Sequence, residues 1–290
     1  MMKKLMIPFA ILAVACGPAR NASKDATTEG AALSGPAVSV TALPEASGTA
    51  GTTAIVAHRG FWDCDAAGFS ENSIASLKAA QDNGFWGSEF DIQLTSDDVV
   101  IVNHDNSIDG LRIATHTWSE LEGHLLPNGE RRPLLEEYIQ QGTKSGTVMV
   151  CEFKKQPTEE KEDILVDKTI EALKRYGMYS PDRVAFISFS MHVCERIAEI
   201  APEFVNEYLN GDLDPETLMA KGINGWDYHQ SVVRSHPRWV DMAHSLGMKT
   251  NVWTVNKEKD IVEMAGLGVD AITSNDPLLV RSILKDREIR

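Results

Sequence analysis

The chain has 290 residues, with 28 Lys and Arg against 42 Asp and Glu, and a formal net charge of −14. Hydrophobic residues make up 43% and charged residues 24%, the balance of a globular chain, which excludes collagenous, coiled-coil and wholly disordered classes. The acidity argues against nucleic acid as a partner, because a phosphate backbone needs a basic footprint, but it leaves a small anionic substrate open. The length admits two average domains or one α/β barrel of roughly 250 residues.

Residues 1–15, MMKKLMIPFAILAVA, join two lysines to an apolar run that ends in small residues. The run is too short to span a bilayer as a helix and reads as a secretory signal. Cys16 follows Leu12-Ala13-Val14-Ala15, a box similar to that of bacterial lipoproteins, whose cysteine is acylated and becomes the mature N-terminus. Here Leu stands four places before the cysteine rather than three, and the alternative is a plain secretory signal with an incidental cysteine. Residues 16–51, rich in Ala, Ser, Thr, Gly and Pro, lack the apolar surface to offset their chain entropy and read as a disordered tether. The protein is therefore expected to be exported and lipid-anchored to a bacterial cell envelope, touching membrane through lipidated Cys16 only. Of the other cysteines, Cys64, Cys151 and Cys194, at least one must be a free thiol, and Cys151 lies in an apolar run that suits burial.

From residue 52 to residue 290 the chain alternates short β-branched runs with amphipathic stretches. Strands are expected at Ala54–Ala57, Gly87–Ile92, Val99–Asn103, Thr147–Phe153, Val184–Ser188, Phe204–Tyr208, Gly225–Tyr228 and Lys249–Thr254. Helices are expected at Asn72–Asn83, Leu134–Gln141, Glu159–Tyr176, Met191–Ile200, Pro215–Lys221, Pro237–Leu246 and Lys257–Ala265. Strands separated by helices predict parallel βαβ units, and eight of them suit a single closed (β/α)₈ barrel of the TIM type. The link between the second and third strands has no room for a helix, so the barrel should be irregular there. An open doubly wound sheet is the alternative, but the Gly-rich phosphate loop common in such sheets is absent.

On the strand around Ser88-Glu89-Phe90-Asp91-Ile92, Glu89 and Asp91 share one face and Phe90 and Ile92 the other. Two adjacent carboxylates repel unless a cation or proton lies between them; a half-buried strand with its acidic side in water is the plainer reading. Glu152 closes a strongly apolar run with Lys154 on the same face, and a buried Glu needs a partner, either that lysine or a metal. Three carboxylates without a His/Cys cluster select a hard cation, Ca²⁺ or Mg²⁺. His58 and His104 fall at strand ends, the catalytic end of a barrel, and suit proton transfer near neutral pH. Arg59 offers a fork matched to phosphate, and Gly60 lets the backbone pass close to a ligand.

Taken together, these segments resemble the glycerophosphodiester phosphodiesterase family from about Ile55 to Pro277. The matching motifs are His58-Arg59-Gly60, Glu71-Asn72, Glu89-Phe90-Asp91, His104-Asp105, Glu152-Phe153-Lys154, Ser188-Phe189 and Trp253-Thr254-Val255-Asn256. The family's Pro-Glu-Asn-Thr reads Ser70-Glu71-Asn72-Ser73 here. The resemblance implies a (β/α)₈ barrel that hydrolyses glycerophosphodiesters to glycerol 3-phosphate and an alcohol. It implies one divalent cation on Glu89, Asp91 and Glu152, phosphate contacts from Arg59 and Lys154, and His58 and His104 as an acid–base pair. We assign His104 as the acid and His58 as the base. Glu71 would orient His58, touch the metal or merely open a helix, with Ser70 or Asn72 as N-cap. Trp253 would pack on the glycerol moiety or in the core, and Phe61 and Trp62 would line the pocket mouth or fill a loop. His116, His124, His192, His229, His236 and His244 fall mostly in helices or loops without acidic partners at ligand spacing and read as surface or structural residues, and Asp105–Arg132 reads as an insertion over the active-site end. Phospholipase D-like cleavage of intact lipids and a non-catalytic binding barrel are the competing functions.

Overall fold

The inward and outward faces of the strands are separated by a strict alternation of side chains, and that alternation builds the molecule. The computed structural model describes residues 53–288. The signal segment 1–15, the tether 16–51 and Cys16 lie outside the described residues. The strands are β1 (Ala54–Ala57), β2 (Gly87–Leu94), β3 (Val100–Val102), β4 (Ser107–Ile108), β5 (Leu111–Arg112), β6 (Val148–Phe153), β7 (Val184–Ser188), β8 (Val205–Tyr208), β9 (Gly225–His229), β10 (Lys249–Trp253) and β11 (Ala271–Ser274). The helices are α1 (Ile74–Asp82), α2 (Trp118–Leu121), α3 (Leu135–Gly142), α4 (Glu159–Arg175), α5 (Met191–Ile200), α6 (Pro215–Ala220), α7 (Gln230–Ser235), α8 (Arg238–Ser245), α9 (Glu258–Gly266) and α10 (Pro277–Glu288). Among them no helix is long and apolar enough to cross a membrane.

Strands β1, β2, β6, β7, β8, β9, β10 and β11 are parallel neighbours in that order, and β11 pairs back to β1, closing a (β/α)₈ barrel. On β6, Met149, Cys151 and Phe153 point outward into the layer shared with α3 and α4, while Val148 and Val150 point into the barrel with Val56, Ala185, Ile187 and Val205. Branched and small side chains thus fill the barrel floor, and further along β2 and β6 the inward positions carry Glu89, Asp91 and Glu152.

Two expectations about the strands need correction. The run Val99–Asn103 is not a barrel strand: β3 runs antiparallel to β2, pairing Ile92 with Val102 and Leu94 with Val100. The short link after β2 permits only a hairpin, because a parallel neighbour needs a crossover of about a dozen residues or more. The eighth barrel strand is instead β11, in the Ala-Ile-Thr-Ser run 271–274, which pairs with both β1 and β10. Short and half polar, that run carries little periodic signal. Segment 105–132 holds the β4–β5 hairpin and α2, consistent with an insertion between barrel units. Cys64, Cys151 and Cys194 are all free thiols, the last two buried.

Candidate active site

The loop from β1 to α1 is the most strained part of the described chain. Arg59, Phe69 and Asn72 all adopt left-handed backbone, at φ 55°, 56° and 56°. Non-glycine residues in that region persist only where the surroundings compel them. Gly60, at φ 78°, is required on two counts, since a Cβ there would also collide with the Ser76 side chain. The bend aims the Arg59 N–H at Glu89 Oε2, 2.6 Å away, and the Gly60 N–H at Glu89 O. Helix α1 is capped by Ser73, whose hydroxyl accepts from Ser76 N while Ser76 Oγ accepts from Ser73 N. Neither Ser70 nor Asn72 is the cap, because Asn72 is engaged elsewhere. Its Nδ2 donates to Asp91 Oδ2 at 2.8 Å, and its Oδ1 accepts from Asp91 N at 3.0 Å.

Glu89 and Asp91 on β2 and Glu152 on β6 turn into the barrel, with one carboxylate oxygen from each within 4.8 Å of the others. The register sets Asp91 opposite Glu152. All three are buried, so the acidic face of β2 looks into the barrel and not into water. Burial, then the charges of Asp91 and Glu152, pushes the Glu89 carboxyl well above the usual carboxylate range. Burial and Asp91 likewise push Glu152 up to about 7. Burial would raise Asp91 too, but Lys154, His104, Asn72 and Arg59 outweigh it and hold that carboxyl low. Glu89 Oε1 is buried and accepts no hydrogen bond. A buried oxygen without a donor, in a trio that cannot hold three negative charges unaided, is what a divalent oxygen-seeking cation satisfies, so the donor set fits such an ion.

Two cations of the chain flank the trio. Lys154 Nζ lies 2.8 Å from Glu152 Oε1 and 3.2 Å from Asp91 Oδ1. Arg59 reaches Glu71 Oε2 at 2.8 Å through NH1 and stands 3.9 Å from Asp91 through Nε. Glu71 therefore positions Arg59. It lies before the first helical residue, and it is neither among the grouped carboxylates nor bonded to His58.

The histidines are held differently. His58 donates from Nδ1 to Asn275 Oδ1 at 2.6 Å, and its Nε2 stands 3.9 Å from Glu89 Oε2. Burial, and then the charge of Arg59, lowers His58 to about 4, so the ring is neutral at neutral pH with Nε2 free to accept a proton. Asn275 was invisible to sequence reasoning because it follows the barrel strand that the reading missed. The same junction holds it in place, with Asn256 Oδ1 accepting from Asn275 N at 2.9 Å. His104 pairs through Nδ1 with Asp105 Oδ1 at 2.8 Å in the loop after β3. It lines a cavity of about 290 Å³ with Trp62, Phe69, Leu126, Pro127 and Arg132. Trp62 thus reaches the mouth, whereas Phe61 is core, edge-on to Phe85.

Across the mouth, Trp253 donates from Nε1 to Asp227 O and meets Phe189 and His229 edge-on. Among the remaining histidines, His124, His192 and His244 form partly exposed pairs with Asp109, Asp163 and Asp270, away from the carboxylate trio. Glu207 and Asp227 are also buried, and burial first of all drives both toward the protonated acid.

Residues 58–279 match the model of the glycerophosphoryl diester phosphodiesterase family. A crystal structure of a glycerophosphodiester phosphodiesterase from Parabacteroides distasonis superposes with a TM-score of 0.78 at 39% identity, covering 82% of this chain and 98% of that one. A glycerophosphodiester phosphodiesterase from Caldanaerobacter subterraneus subsp. tengcongensis is 29% identical over 78% of this chain and 95% of its own length. An Oleispira antarctica phosphodiesterase, solved in complex with the product sn-glycerol-3-phosphate, shares the fold at 24% identity, with a TM-score of 0.69 and coverage of 81% and 97%.

Proposed function

Because the chain belongs to the glycerophosphoryl diester phosphodiesterase family, whose members are phosphoric diester hydrolases, we propose that it cleaves glycerophosphodiesters to sn-glycerol 3-phosphate and an alcohol with one divalent cation, Ca²⁺ or Mg²⁺, and two histidines. The observation that carries this reading is the convergence of Glu89, Asp91 and Glu152 within 4.8 Å, flanked by Arg59 and Lys154 and next to His58. A cation held by the trio would supply electrostatic neutralisation of the phosphoryl oxygens. Arg59 and Lys154 bind the same diester anion, Arg59 with its fork fixed by Glu71. His58 Nε2 takes the proton of the nucleophilic hydroxyl, which is either water, giving glycerol 3-phosphate directly, or a neighbouring glycerol OH, giving a cyclic phosphate that a water molecule then opens to glycerol 3-phosphate. As the new O–P bond forms, the P–O bond to the alcohol breaks, and His104 Nε2 returns a proton to the departing oxygen. The alcohol leaves into the cavity lined by Trp62 and Phe69, and Trp253 packs against the glycerol carbons. The oxygen-only donor set, with no cysteine or histidine in the trio, favours the hard cations.

The N-terminal sequence supports export and anchoring through an acylated Cys16; labelling with a radioactive fatty acid should mark the chain and be lost in Cys16→Ala. The activity is tested with the purified full chain, several glycerophosphodiesters, and Ca²⁺ or Mg²⁺. Equal amounts of sn-glycerol 3-phosphate and alcohol are expected. No turnover of any diester with either ion would overturn the reading.

A further inference from the structure

Gln93 continues the inward face of β2 beyond Glu89 and Asp91, and it is 4% exposed. Its Nε2 donates toward three consecutive backbone carbonyls: Asn103 O at 2.8 Å, His104 O at 3.0 Å and Asp105 O at 2.7 Å. An amide nitrogen carries two hydrogens, so three acceptors share two donors and at least one bond is three-centred.

The chain needs this device because of its topology. After β3 it leaves the hairpin and crosses the mouth without regular structure, so carbonyls 103–105 have neither ladder nor helix to satisfy them. The same turn is tied down by Asn103 N to Asp91 O at 3.0 Å, by Asn103 Nδ2 to Asp105 O at 2.7 Å, and by Arg132 Nε to Asn103 Oδ1 at 2.8 Å. The His104 ring itself is held by one hydrogen bond, to the side chain of Asp105. The position of that ring relative to β2 is therefore set through its backbone, and Gln93 is the side chain that grips the carbonyl of His104 and of both its neighbours.

We propose that Gln93 is a positioning residue for the proton donor, fixing His104 Nε2 relative to the leaving oxygen from the same strand that carries two ligands of the cation site. The proposal rests on the reading of His104 as the general acid. Gln93 touches neither substrate nor cation in this role. Glu at this position would set a carboxylate against three carbonyl oxygens, and Met would keep the length but remove the donor.

The test is a double-mutant cycle on the full chain with two glycerophosphodiesters, one losing ethanolamine and one losing 4-nitrophenol, which departs without a proton. Gln93→Met should lower kcat for the ethanolamine diester about 10- to 100-fold with KM little changed, and change the nitrophenyl substrate less than about threefold. In a His104→Ala background the same substitution should change either rate by less than about threefold, because its effect passes through a ring that is no longer there. A purely structural clamp would slow both substrates alike, in both backgrounds, and that result overturns the proposal. A leaving-group effect in His104→Ala that is absent from Gln93→Met overturns the role of Gln93 alone. No leaving-group effect in His104→Ala overturns the assignment of the acid, and the role of Gln93 with it. Should Gln93→Met not fold, Asn103→Ala, which loosens the same turn, should show the same leaving-group signature, and equal losses on both substrates there overturn the proposal.

Discussion

At the scale of single residues, the site is held by amides as well as by charge pairs. Asn72 binds Asp91 at both its carboxylate and its backbone, and Asn275 fixes the ring of His58. Replacing Asn275 with Ala removes the acceptor on Nδ1, and kcat should fall about tenfold or more with KM nearly constant. Steady-state kinetics checks this, and an unchanged kcat would show that His58 does not depend on Asn275. The titration of the trio gives a second expectation. Glu152 holds its proton up to about 7 and Glu89 is raised as well, so a cation must displace protons to bind. Apparent cation affinity should therefore weaken as pH falls below about 7, roughly tenfold per pH unit for each proton displaced. Calorimetric titrations at pH 5.5, 6.5 and 7.5 read it directly; a pH-independent constant would contradict the coupling.

At the scale of elements, the closing strand β11 decides both the fold and the site. Just before it, Asp270 Oδ2 accepts from Thr250 N, Thr250 Oγ1 and His244 Nε2, tying β11 to β10 and α8. Asp270→Ala would leave these donors unpaired and should cost about 2–4 kcal/mol in denaturant unfolding. A loss under about 0.5 kcal/mol would mean that barrel closure does not rest on this knot. The segments around it show what a sequence can disclose. Period-two alternation places Glu89 and Asp91 on one face, and the same period adds Gln93, whose uncharged side chain carries no chemical signal of its own. The run 99–103 is as apolar as any barrel strand, and periodicity does not distinguish a parallel neighbour from a hairpin arm. The run 271–274 is too short and polar to stand out, so Asn275 was hidden with it. Glu71 was legible as a site residue but its partner was not, because the Arg59 bend depends on left-handed backbone at non-glycine residues. Tertiary compulsion of that kind leaves no local mark.

At the scale of the whole molecule, one barrel stacks an apolar floor beneath an acidic, cation-seeking mouth, within a chain of net charge −14. The mouth trades stability for function. Without a cation, Glu152 binds its proton more tightly folded than unfolded, so its contribution weakens the fold as pH rises from about 4.5 to about 7. Adding Ca²⁺ or Mg²⁺ should accordingly raise the melting temperature more at pH 7.5 than at pH 5.5. A scanning-calorimetry series showing an equal rise at both values would argue against this linkage. If the buried trio holds the catalytic cation, diester cleavage depends on that ion. This dependence is tested by stripping the full chain with a chelator and following sn-glycerol 3-phosphate release as Ca²⁺ or Mg²⁺ is restored. Activity below about 1% is expected when stripped, with a return that saturates as a single site and no return in Asp91→Asn. Undiminished hydrolysis by protein shown to be free of metal would contradict it.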